Sequence, residues 1–198
     1  MKFYSKKVNR GLLLGGVCLI VLIFYLIAEQ IYFTGEKEQI QSVMEDYLEK
    51  VEQLNESAVS FNEALPLLET YWSTGSTSLS CSWTNMAMAL HTLFSSNRCE
   101  IDKTESSAGQ YRIVQNGTNR ATVECTYSLT TDIQEAGTYL LICQSVSLQE
   151  MIGTKSESLY RWSSTIKVTA DMIYEKHKWM IVGIDTSVLE QNIQPISE

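Results

Sequence analysis

Residues 121–131 read Ala-Thr-Val-Glu-Cys-Thr-Tyr-Ser-Leu-Thr-Thr. Ala121, Val123, Cys125, Tyr127 and Leu129 fall on one side of a two-residue period. Thr122, Glu124, Thr126, Ser128 and Thr130 fall on the other. Successive side chains of an extended chain point to opposite faces. The stretch is therefore a strand with one face toward a core and one toward water, the pattern of an antiparallel sheet.

The same period continues on both sides. Upstream, Tyr111 to Gln115 is a short strand, and Asn116-Gly117 is a hairpin turn signal. Downstream, Tyr139 to Met151 is a long apolar segment. Leu159 to Tyr174 follows, with Trp162, Ile166, Val168, Ala170, Met172 and Tyr174 in phase. Glu175-Lys176-His177-Lys178 is a polar turn, and Trp179 to Ile184 closes the sheet.

Before residue 100 the period is helical. Ile40, Val43, Met44, Tyr47, Leu48, Val51 and Leu54 form one apolar stripe on a helix from Glu36 to Gln53. Gly35 either breaks this helix from what precedes it or lies inside one continuous rod. Ser60-Phe61-Asn62-Glu63 is a capping box that opens a second helix, reaching Ser73 with Leu65, Leu68, Tyr71 and Trp72 on its apolar side. After a loop over Ser73–Ser78, Ser82 or Thr84 caps a third helix carrying Trp83, Met86, Leu90, Leu93 and Phe94. Helices first and an antiparallel sheet after them define an α+β domain with its helices on one face of the sheet.

The N-terminus has a different character. Gly11 to Ala28, GLLLGGVCLIVLIFYLIA, contains no charged residue and no Pro. Eighteen residues at 1.5 Å rise span about 27 Å, close to the thickness of a bilayer's hydrocarbon core. Lys2, Lys6, Lys7 and Arg10 stand before the run, and the next basic residue is Lys37. The positive-inside rule then places the tail in the cytoplasm and the rest outside, on a signal anchor that contacts membrane lipid. The expected organisation is a cytoplasmic tail (1–10), a transmembrane signal anchor (11–33), an extracytoplasmic α+β domain (34–190) and a C-terminal tail (191–198). A cleaved signal peptide fits less well, because the core is long and Ile27-Ala28-Glu29 is a poor cleavage site. Val17 before Cys18 argues against a lipoprotein. Gly16, where a pilin would carry Glu after cleavage at Gly11, argues against a type IV pilin.

Four of the 15 Lys and Arg lie in the tail, whereas all 23 Asp and Glu lie at or after Glu29. The outer part thus carries 11 basic residues against 23 acidic ones, a net charge of −12. Such a surface repels nucleic-acid phosphates, and nucleic-acid binding is not expected. Cys18 lies in the apolar run. Cys81, Cys99, Cys125 and Cys143 lie beyond it and are the candidate disulfide cysteines, open to three pairings. Spacing suggests Cys81 with Cys99 across the third helix. It suggests Cys125 with Cys143 across a hairpin centred near Gln134. Without Cys-x-x-Cys or paired His there is no zinc pattern, and no metal or cofactor is expected.

The order of elements resembles the NTF2-like superfamily, a cone of three N-terminal helices on a curved sheet of four to six strands. The pieces that carry the resemblance are Lys167-Val168-Thr169-Ala170-Asp171-Met172-Ile173-Tyr174, the short charged turn, and Lys178-Trp179-Met180-Ile181-Val182-Gly183-Ile184. It extends over about Glu36 to Val188. Membrane-anchored members include the VirB8-like proteins of secretion and conjugation machines, whose outline is similar. The resemblance implies a pocket between sheet and helices, which in some members holds a catalytic Asp, Tyr or His. The pocket candidates here are His91, Tyr127, Trp162, Tyr174 and Trp179. His91 borders an apolar helix face, and the aromatic residues suit a packed core better than a ligand pocket. Asp171 is on the polar phase of its strand, Asp132 and Asp185 lie at strand ends, and no nucleophile or phosphate-loop motif is present. No catalytic residue is assigned. The expected function is a non-enzymatic, membrane-anchored interaction or assembly subunit with a protein partner or self-association. A small-ligand-binding or isomerase-type pocket protein and a pilin-like subunit are the alternatives.

Overall fold

The computed structural model describes residues 10–73, 80–152 and 159–196, with the side chains of residues 10, 12, 13, 29, 30, 32 and 34 outside the described set. Lys2, Lys6, Lys7 and the Arg10 side chain, on which the orientation argument rests, lie outside the described residues, as does most of the Ser73–Ser78 loop.

The chain divides into two units, Met1–Glu38 and Gln39–Glu198. The described part of the first unit is helical. It belongs to α1 (Arg10–Glu56), which is continuous through Gly35. Leu14, Val17, Phe24 and Ile27 are all at least half exposed, Leu14 and Phe24 by about two thirds. Among the described residues no helix is long and apolar enough to cross a membrane. The described apolar run within α1 extends from Leu14 to Ala28.

The second unit packs α1 from Gln39 onward, α2 (Phe61–Glu69) and α3 (Trp83–Ser95) with an antiparallel sheet. The sheet's strands are β1 (Glu100–Ala108), β2 (Arg112–Gln115), β3 (Arg120–Glu135), β6 (Tyr160–Glu175) and β7 (Lys178–Pro195). β1 and β2 both pair with β3, and the order continues through β6 to β7. A small hairpin, β4 (Thr138–Leu141) and β5 (Gln144–Ser147), followed by the short α4 (Gln149–Ile152), stands apart from the main sheet.

Burial follows the sequence periods. In β3, Ala121, Val123, Cys125, Tyr127 and Leu129 are buried and the alternate residues are not. The stripe Ile40, Met44, Tyr47, Leu48, Val51 and Leu54 is buried to within a few per cent. It packs on its own domain and offers no free docking surface.

Three expectations change. Tyr139–Met151 is not one strand: it turns at Ile142-Cys143, where Leu141 pairs with Gln144, and ends in α4. Its apolar residues are buried on both phases, so alternation could not mark the break. The strand β1 is not legible in Glu100–Ala108, because seven of its nine residues are Glu, Asp, Lys, Thr or Ser and most are exposed. The last strand does not stop at Ile184. β7 runs to Pro195 along β6, so residues 191–195 are strand instead of tail.

Gly137 joins β3 to β4 where the chain passes close beneath Asn97 and Arg98. A Cβ there would lie 2.6 Å from the Asn97 carbonyl oxygen, and only glycine fits. The turn between β6 and β7 is less well matched. Lys176 (φ 53°) and His177 (φ 66°) both occupy left-handed backbone, which L-residues with a Cβ adopt at a cost. A two-residue hairpin of this kind favours Asn-Gly. The double substitution Lys176→Asn/His177→Gly should raise the unfolding free energy by about 1–2 kcal/mol, measured by urea denaturation.

Candidate functional site

The inner face of the sheet is where a cone-shaped domain would hold a ligand. Its centre is occupied by rings. Tyr47, Trp72, Tyr139 and Trp162 are all at most 1% exposed. The Tyr139 and Trp162 rings meet edge-on at 5.2 Å, and Tyr47 and Trp72 at 5.9 Å. Such edge-to-face contacts add to the burial of large apolar area. Tyr47 donates its hydroxyl hydrogen to the Ile142 carbonyl oxygen at 2.5 Å, which ties α1 to the β4–β5 turn. Burial pushes the Tyr47 phenol well up, so the ring stays neutral.

The five pocket candidates do not meet in one place. Trp162 and Tyr174 are twelve positions apart on β6, about 40 Å of strand at 3.3 Å per residue. Tyr174 lies opposite Trp179 beside the β6–β7 turn, their rings 5.6 Å apart. Tyr127 lies on β3 and donates a hydrogen bond to the Glu52 carboxylate of α1. His91 is exposed on α3, edge-on to Phe61 at 5.8 Å, and does not enter the sheet's inner face. Asp171 accepts from the Thr122 hydroxyl at 2.8 Å across β3 and β6, on the polar phase, as the alternation required.

The most polar group of the inner face is the Tyr127–Glu52 pair. Burial, then the bond to Glu52, raises the Tyr127 phenol far above its ordinary value. Tyr139 is raised as well, chiefly by burial. Both are therefore neutral hydrogen-bonding groups instead of bases. Trp162 Nε1 and Ser164 Oγ are buried with no hydrogen-bond partner among the described residues. Among the described residues no cluster of three His, Cys, Asp or Glu could hold a metal ion.

Two surface clefts among the described residues lie beside these elements. One, of about 370 Å³, is lined by Ser80, Cys81, Asn85, Met88, Cys143 and Thr186 at the start of α3. The other, of about 750 Å³, runs between the end of α1 and β1 past Glu56, Arg98, Asp102 and Lys103. Sequence reading missed its organising residue. Arg98 Nη1 donates to the Ser57 carbonyl at 2.8 Å, and Nη2 donates to those of Asn55 (2.8 Å) and Leu54. These include carbonyls that the end of a helix leaves without an intrahelical partner. Arg98 also lies over the Phe94 ring at 5.0 Å, and burial lowers its pKa. The only available signal was the absence of a Gly after Glu56 to end the helix.

The cysteines also differ from the expected pairing. Cys81, Cys99, Cys125 and Cys143 are free and buried. Cys125 lies opposite Val168, because the strand beside β3 is β6 and not the segment containing Cys143. Cys143 is in the β4–β5 turn, where its carbonyl accepts from the Cys81 thiol at 3.2 Å. Cys99 instead pairs its backbone with Thr138.

No family model matches the chain, and no curated protein matches it. Solved structures do. A putative scytalone dehydratase from Novosphingobium aromaticivorans aligns over 80% of this chain and 87% of its own, at 9% identity and a TM-score of 0.50. The Kfla4162 protein from Kribbella flavida aligns over 81% of this chain and 95% of its own, at 10% identity and a TM-score of 0.51. A type 2 hexachlorocyclohexane dehydrochlorinase (LinA) aligns over 85% and 93%, at 8% identity and a TM-score of 0.50. At such identities the likeness is one of fold. That fold is α+β, a curved antiparallel sheet with a few helices against it, and it is consistent with the NTF2-like cone that the sequence resembles.

Two outcomes check this geometry. Arg98→Ala should cost about 2–3 kcal/mol of stability by urea denaturation. Arg98→Lys should recover little of it, because an ammonium lacks the planar fork that serves several carbonyls at once. On the outer face, Arg161 grips Asp132 through two bonds of 2.7 Å and holds its carboxyl below the usual value. The stabilisation from a depressed carboxyl is complete above its unfolded pKa of about 3.9 and is lost as pH falls through the lower folded value. The stability difference between wild type and Asp132→Asn should therefore be constant from pH 5 to pH 8 and vanish toward pH 2.

Proposed function

We propose that this chain is a single-pass membrane protein whose NTF2-like domain works outside the cytoplasm as a non-enzymatic interaction or assembly subunit. The observation that carries the reading is the uncharged run Gly11–Ala28, with four basic residues before it and a net charge of −12 after it. Its described side chains from Leu14 to Ile27 are exposed in α1, where lipid would cover them at no cost in hydrogen bonding. The domain's interior supports the non-enzymatic part. Ring-on-ring packing takes up the space where a substrate would lie, and His91 and Asp171 face away from it. Binding then falls to the outer surfaces, where Leu67 and Met88 on α2 and α3, and Val188 and Leu189 on β7, are exposed apolar residues. The VirB8-like outline fits such a role in a secretion or conjugation machine.

A second reading rests on the Tyr127–Glu52 pair. A neutral phenol held against a carboxylate inside the cone is a polar handle for a small ligand. Two of the solved structures with this fold are named as a dehydratase and a dehydrochlorinase. In this reading the chain would bind a small apolar molecule bearing one hydrogen-bonding group.

Expression of the full chain in bacteria separates the readings. The anchor reading expects the protein to stay with membranes through alkaline carbonate and to be digested by protease added to spheroplasts. Release by carbonate, or protection from the protease, overturns it. Crosslinking in cells should recover a protein partner or a second copy. A monomer that crosslinks to nothing, and whose melting temperature rises with small apolar ligands in wild type but not in Glu52→Gln, favours the second reading.

A further inference from the structure

Two of the four cysteines beyond the apolar run share one buried spot, although 62 positions separate them in the chain. Cys81 precedes α3, and Cys143 is the second residue of the β4–β5 turn. The Cys81 thiol donates to the Cys143 carbonyl at 3.2 Å. Both residues are about 95% buried, yet both line the cleft at the start of α3, so a small reagent or a partner's thiol has a path to them.

Both backbones are already fixed where a bridge needs them. Cys81 exchanges two hydrogen bonds with Ile184 of β7, at 3.1 and 3.0 Å. Cys143 is held by the Leu141–Gln144 pair, by its own N–H on the Leu141 carbonyl at 2.6 Å, and by the Tyr47 hydroxyl on the adjacent Ile142 carbonyl. Ile142 has φ 56°, an unusual conformation for a β-branched residue. The turn thus keeps Cys143 against Cys81 despite local strain. Cys99 and Cys125 are placed differently. Cys99 pairs its backbone with Thr138, Cys125 lies opposite Val168 on β3, and neither is among the residues lining the cleft at the start of α3.

We propose that Cys81 and Cys143 are a redox pair that closes to a disulfide and staples the start of α3 to the β4–β5 hairpin. The oxidant is a disulfide of a low-molecular-weight thiol or of a thiol oxidoreductase. One cysteine thiolate attacks that disulfide, forms a mixed disulfide and releases the first thiol. The second cysteine attacks the mixed disulfide, releases the second thiol and forms the Cys81–Cys143 bond. Two protein thiols lose two electrons and two protons, and the oxidant gains them as two thiols. Only the pair's persistence in cells rests on the extracytoplasmic placement proposed above; its formation in vitro does not.

The test uses the full chain in detergent, treated with glutathione disulfide, alkylated and digested with trypsin. Cleavage places Cys81 in the peptide 51–98 and Cys143 in 121–155, with Cys125 in the latter as well. The expected product is a crosslink of these two peptides in wild type and in Cys125→Ser, absent in Cys81→Ser and in Cys143→Ser. Oxidised wild type should melt roughly 10 °C above the reduced form. Four alkylatable thiols beyond residue 33 after oxidation, a crosslink that survives Cys143→Ser, or a Cys81–Cys99 link overturns the proposal. Trapping thiols in intact cells tells the two ideas apart. A pair that oxidises in vitro but is reduced in cells sustains the redox pair and counts against the location.

Discussion

A helix that ends inside a domain leaves carbonyl groups turned toward the protein, and something must accept the cost of desolvating them. At the end of α1 that role falls to Arg98 and Asn55. Arg98 reaches the carbonyls of Leu54, Asn55 and Ser57 from just before β1. Asn55 donates its amide to the Leu140 carbonyl and accepts from the Leu140 N–H, both at 2.8 Å, which fastens the same turn of helix to β4. The neighbouring chain is fixed in turn. Thr138 bonds to Asn97, Cys99 bonds to Thr138, and Gly137 allows the close passage between them. One helix end thus sets the positions of β1 and of the β4–β5 hairpin.

The inner face of the sheet inherits its character from that arrangement. With α1 held in place, Tyr47 reaches the β4–β5 turn and its ring packs on Tyr71 and Trp72. At the other end, Tyr139 from the small hairpin covers Trp162. The hairpin acts as a plug between sheet and helices, and it brings Cys143 to Cys81. The polar groups that remain inside are phenols, amides, hydroxyls and indole N–H groups, with the Glu52 carboxylate held by Tyr127.

Much of this was legible from residues 36–94 and 111–184. The buried stripe of α1, the capping box at Ser60 and Glu63, and the alternation in β3 and β6 depend on local periods that burial enforces. What could not be read depends on pairs distant in sequence. Glu100–Ala108 has a polar composition and becomes a strand because β3 offers it a ladder. The Cys81–Cys143 proximity follows from the turn at Ile142, which sits inside an unbroken apolar segment. Arg98 looks like an ordinary surface residue until the helix end it serves is in view. Trp162 and Tyr174 already fall near opposite ends of the strand that the alternation marks, whereas the places of Tyr127 and His91 relative to them depend on strand pairing and helix packing that local periods do not show.

The long last strand has a further consequence. The first half of β7 is flanked on its outer side by Tyr71–Ser73 and Cys81, whereas its residues from Asp185 to Gln194 are largely exposed and pair with β6. The described residues end at this rim with Ile196, which bonds back to Leu159. An affinity tag or reporter inserted just after Ile196 would therefore start beside a strand edge that no described strand covers. A short β-prone tag could align with that edge, whereas a Gly- and Ser-rich spacer would leave it free.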